Sequence, residues 1–76
     1  MFHIRRIPYV NPESGWSAEM IVYRTMGAWA MVTVLSNEGE PVLWWRDRQS
    51  KYEDVRNVGI AWHKRLKEDY RMVRVA

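Results

Sequence analysis

The sequence predicts an α+β fold: a small antiparallel sheet of four to five strands with one amphipathic helix packed on one face, in the order β-β-β-β-α-β. Three observations predict it. Gly15, Gly27 and Gly39 stand twelve residues apart, each between apolar segments, which is the spacing of strands joined by turns. Beyond residue 50 the apolar positions shift to intervals of three and four, at Tyr52, Val55, Gly59, Trp62 and Leu66, which is one stripe of a helix. Residues 70–75 then alternate again and return the chain to the sheet.

The first strand is expected over residues 2–8. Asn11-Pro12-Glu13-Ser14-Gly15 is a turn, because Asn-Pro initiates turns and Gly tolerates positive φ. The second strand spans 17–25, with Met26-Gly27 as the break, and the third spans 28–35. Ser17-Ala18-Glu19-Met20 could instead start a helix running to Met26; the β-branched pair Ile21-Val22 and the β-like run after it favour strand. Residues 36–40 form a hairpin connection, with Asn37 and Gly39 expected at positive φ. The fourth strand covers 42–46.

Ser50-Lys51-Tyr52-Glu53 has the form of a capping box, with Ser at the N-cap and Glu three residues on. Val58 widens the helical stripe, while Ile60 falls off it. Gly59 lies on the stripe and is expected to admit a close approach of helix to sheet. Lys64, Arg65 and Lys67 suit the negative end of the helix dipole.

A chain of 76 residues holds one domain, residues 1–76, near the size at which a single core yields only a few kcal/mol. It has no Cys, which removes disulfides, thiol nucleophiles and Cys-based metal sites. The longest apolar stretch, residues 16–35, carries Glu19 and Arg24 and many β-branched residues, so it does not read as a membrane span. The N-terminus shows no apolar signal core, and the expected location is the cytoplasm. Residues 1–38 hold three Arg and three Glu; residues 39–76 hold nine basic and six acidic residues, the source of the net charge of +3. That balance permits contact with phosphates or with an acidic protein.

Strand alternation exposes a difficulty. Trp29, Met31, Thr33 and Leu35 face one way, and Ala28, Ala30, Val32 and Val34 the other. Val42 and Trp44 likewise oppose Leu43 and Trp45. Both faces are apolar, and a single helix covers one. The second face is then buried by curling of the sheet, by a homodimer, or by a different partner.

No catalytic constellation is legible. His3 and His63 are the only histidines, Ser14, Ser17, Ser36 and Ser50 sit in turn or cap contexts, and no spacing suggests a triad or carboxylate dyad. His63 reads as a boundary residue of the helix stripe. Two histidines among scattered carboxylates do not make a metal site, and glycines twelve apart cannot form a phosphate loop. The chain is therefore expected not to be an enzyme, with no catalytic residues, no metal and no cofactor.

Binding chemistry is better represented. Trp, Tyr, Arg and Met, the types enriched in interface hot spots, number five, four, nine and five. Trp44, Trp45, Arg46 and Arg48, with Arg56 beyond them and Arg5 and Arg6 as outliers, are the candidate partner-binding residues. A protein partner is the first expectation. A single-stranded nucleic acid is the alternative, since bases stack on aromatics flanked by guanidinium groups, although Asp47, Glu53 and Asp54 dilute the positive charge. A homodimer is also compatible; a membrane is not.

The segment over residues 50–75, with SKYEDVRNVGIAWHKRL as helix and YRMVRV as strand, resembles the layout of small phage-encoded proteins that bind and disable host machinery, anti-CRISPR proteins among them. The resemblance is one of architecture over about a third of the chain. No motif defines the group, so it assigns no functional residue. It implies an inhibitor of a host nucleic-acid-processing or CRISPR complex, acting in the host cytoplasm. Many inhibitors that mimic DNA are acidic, so the basic charge here implies capping of a protein surface rather than mimicry.

Overall fold

The computed structural model describes residues 4–75. The elements run β1 Ile4–Val10, β2 Trp16–Thr25, β3 Ala28–Asn37, β4 Glu40–Gln49, α1 Tyr52–Glu68 and β5 Val73–Arg74. The five strands form one antiparallel sheet in the order β4-β3-β2-β1-β5, with α1 on one face. The segment that could have opened a helix at residue 17 is strand, paired along its whole length with β3 from Trp16↔Asn37 to Thr25↔Ala28. His3 and the start of the first expected strand lie outside the described residues.

The turns explain where strands begin and end. Gly27 sits at φ +71° between β2 and β3. In the β3–β4 hairpin both central residues are left-handed, Glu38 at φ 52° and Gly39 at φ 82°, the pairing whose twist matches that of the flanking strands. This corrects the expectation for Asn37, which is the last residue of β3. Between β1 and β2, Asn11 Oδ1 accepts from the Glu13 backbone N–H at 2.9 Å. Its Nδ2 donates to the Tyr70 carbonyl at 2.9 Å, tying this turn to the C-terminal segment.

Three further expectations are corrected. β4 extends from Glu40 to Gln49 rather than over 42–46. Its ladder with β3 continues through Arg46, Asp47 and Arg48, because an edge strand takes polar residues on its solvated side. The capping box does not form: α1 starts one residue late, with Lys51 as N-cap and no side-chain cap. Glu53 and Asp54 in the first turn and Arg65 and Lys67 in the last still oppose the dipole. The returning strand pairs only through Val73 and Arg74, because residues 70–72 reverse the chain: Arg71 adopts φ 55° and the Met72 N–H donates to the Leu66 carbonyl at 3.0 Å.

α1 lies over β3 and β4 and reaches β2. The core between helix and sheet consists of Val55, Trp62 and Leu66 from α1 against Met20, Met31 and Leu35, closed at the far end by Tyr9 and Met72. Trp45 meets Trp62 with ring centroids 4.8 Å apart, and the Arg65 guanidinium lies over both rings at 5.9 and 5.1 Å. Thr33 is fully buried beneath the helix, and its hydroxyl has no hydrogen-bond partner.

Candidate interaction face

The face of the sheet opposite α1 is built by strand register. Arg6, Ile21, Val32 and Arg46 form one row across β1, β2, β3 and β4, and Ile4, Tyr23, Ala30 and Arg48 form the next. Pro8, Glu19, Val34 and Trp44 make the third. The two edges, β4 and β5, do not meet, so the sheet does not curl shut. Long side chains shade it instead: Ile21, Val32 and Val34 are half-buried, as apolar surface beside arginine stems commonly is. A shallow groove of about 690 Å³ runs along this face, with Ile4, Ile21 and Tyr23 beside Arg6, Arg46 and Arg48.

Trp44 is 65% exposed. Burying the rest of such a side chain is worth roughly 3–4 kcal/mol before any specific contact is counted. The charges around it are almost all of one sign. Glu19 is the single carboxylate in the three rows, and it is held by Arg6 at 3.0 Å. Arg46 and Arg48 have no carboxylate partner among the described residues. Asp47, which the sequence suggested would weaken the positive charge here, points to the other face beside Met31. Glu53 and Asp54 are on the helix.

Of the residues singled out from sequence, the fold therefore brings Trp44, Arg46, Arg48 and Arg6 together. It places Trp45 on the helix side, against Trp62, so the two adjacent tryptophans serve different surfaces. Arg5 and Arg56 also lie on the helix side, where both line a second cavity. Tyr23 and Ile21 belong to the open face and were not singled out, although their alternation with Val22 was available as a signal.

On the helix side, Tyr9 and His63 share a hydrogen bond between Oη and Nδ1. Burial pushes the Tyr9 phenol above its ordinary pKa, against the opposing charge of Arg74. The contact lies at the boundary of the core, with Tyr9 buried and His63 exposed. Among the described residues no group of three His, Asp or Glu side chains could hold a metal ion, and no helix is long and apolar enough to cross a membrane. No family model, no curated protein and no solved structure matches the chain.

Proposed function

We propose that the chain is a non-catalytic binding domain that docks a protein partner with an acidic surface on its open sheet face. The observation that carries this reading is the exposure of Trp44 beside Arg46 and Arg48 on a face whose one carboxylate is already paired. An exposed aromatic next to unpaired guanidinium groups is the composition of an interface hot spot. Aliphatic side chains dominate the rest of the surface, through Ile4, Ile21, Val32 and Val34. They suit protein side chains better than a run of stacked bases, which needs successive aromatic platforms. A symmetric dimer through this face would bring arginines toward their own copies, a repulsive arrangement. By covering a working surface of its partner such a domain acts as an inhibitor, the role the architectural resemblance implies.

The test is affinity capture from the native host with the intact chain, Trp44→Ala and the double variant Arg46→Glu/Arg48→Glu, each with and without nuclease. The expected result is one protein retained by the intact chain, insensitive to nuclease and lost with both variants, while circular dichroism shows all three folded. Capture that disappears with nuclease replaces the reading with single-strand binding. Capture unchanged in both folded variants removes the open face from the function.

A further inference from the structure

We infer that the groove between α1 and β1 is a binding site for a small amphipathic anion, an organic carboxylate with an apolar body. The site lies on the opposite side of the sheet from the open face, and the two grooves share Ile4 at their border.

The groove exists because α1 is set mainly over β3 and β4, which leaves Ile7 of β1 and Val22 of β2 only partly covered on the helix side. Ile7, Met20 and Val22 form the floor. The wall is the flank of α1 that carries Tyr52, Arg56, Gly59, Ile60 and His63, positions that share one side of a helix. Ile60 is the residue that fell off the core stripe in the sequence. It is 53% exposed and lines this cavity, adding one apolar side chain to the flank that also carries Arg56 and His63. The cavity measures about 620 Å³, within the range of sites that take small organic ligands.

Its charges select the ligand. Every permanently charged side chain lining the groove is an arginine, Arg5, Arg56 or Arg74, and no Asp or Glu lines it. None of the three is in an ion pair among the described residues. An apolar floor under three unpaired guanidinium groups is complementary to one ligand chemistry: an apolar body for the floor and a carboxylate for the rim, where guanidinium–carboxylate hydrogen bonds are charge-assisted.

Gly59 adds an independent observation. A glycine in the middle of a helix costs stability, and a Cβ at this position would meet only Met31 Sδ at an ordinary 3.6 Å. The packing of helix on sheet therefore does not require it. This corrects the expectation that Gly59 serves close approach to the sheet. What a larger side chain at 59 would occupy is the groove.

The test is an NMR titration of the 15N-labelled chain with dodecanoate below its micellar concentration, run beside dodecyltrimethylammonium and dodecanol. Saturable shifts are expected at the amides of Arg5, Ile7, Gly59, Ile60 and His63. The cationic and neutral analogues should bind about tenfold or more weakly, the loss of one charge-assisted contact. Arg56→Glu/Arg74→Glu should remove the preference for dodecanoate, and Gly59→Leu should abolish binding. The arginine variants change exposed side chains, so they keep the test decisive even where Gly59→Leu perturbs the helix. Equal binding of the three probes overturns the proposal, as do shifts that map to Ile21, Val32 and Arg46 or an unchanged preference in the arginine variant.

Discussion

The two faces of the sheet are made by the same strands, and the same residue types end in opposite environments. On the helix side the tryptophans are in aromatic contact: Trp45 with Trp62, Trp29 edge-on to Tyr52 at 4.9 Å and Trp16 with Tyr70 at 6.4 Å. On the other side Trp44, one residue from Trp45, has no aromatic neighbour within the described chain and stands largely in solvent. Four of five tryptophans thus serve the helix face, and the fifth is free to serve another molecule. The difference teaches that aromatic abundance has two causes here, and that strand parity separates them.

The largest effect that would break this comparison is truncation of a tryptophan on each side. Trp62→Ala removes a buried ring from between α1 and the sheet, and should cost roughly 3–5 kcal/mol. Trp44→Ala should change stability by about 0.5 kcal/mol or less, as surface substitutions usually do. Urea unfolding followed by circular dichroism measures both. A comparable loss in the two variants would mean that the open face is already packed in the free protein, and the asymmetry between the faces would be gone.

A smaller effect sharpens the description of the covered face. Thr33 is 0% exposed and its hydroxyl is unpaired, so folding strips water from a polar group without replacing it. Thr33→Val keeps nearly the same shape and removes that group. It should stabilise the domain by about 1–2 kcal/mol, within the range for an unsatisfied buried hydrogen-bonding group. A higher urea midpoint with an unchanged slope is the expected result; destabilisation would show that the hydroxyl finds a partner in solution.

Much of this was legible in the sequence, for identifiable reasons. The order of elements followed from the glycine spacing and from the change of period at Tyr52, and the two-sided apolar character of β3 and β4 followed from parity alone. The limits of β4 were not legible, because Asp47-Arg48-Gln49 reads as polar loop until pairing with β3 makes it part of an edge strand. The capping box failed because α1 begins after Lys51, and local sequence fixes a helix start only to within a residue or two. For the candidate site, parity puts Trp44 and Trp45 on opposite faces but does not say which face the helix covers, so both stay candidates; the same alternation groups Ile21 with Tyr23. It could not reveal that Arg6 joins Arg46 and Arg48, since β1 and β4 lie three strands apart in the order and only tertiary pairing relates them. The groove beside α1 was invisible for the same reason: it depends on which strands the helix sits over, and Ile60 was its single trace.

The smallest expected effect concerns that same helix. Gly59 is half-buried on the flank between core and groove, and a methyl group there meets Met31 Sδ at ordinary contact distance. Gly59→Ala should therefore pass without strain, and should gain up to about 1 kcal/mol from better helix propensity and a less flexible unfolded chain. The variant also separates two explanations of the glycine. If the helix needs Gly59 to approach the sheet, the methyl group overpacks the core and the melting temperature falls. If the glycine instead keeps the groove open, the melting temperature rises while the cavity loses only a methyl's worth of volume, and dodecanoate affinity falls less than with Gly59→Leu. A rise in stability with a graded loss of ligand from Ala to Leu would place residue 59 on the groove side of the helix and leave the core packing to Val55, Trp62 and Leu66.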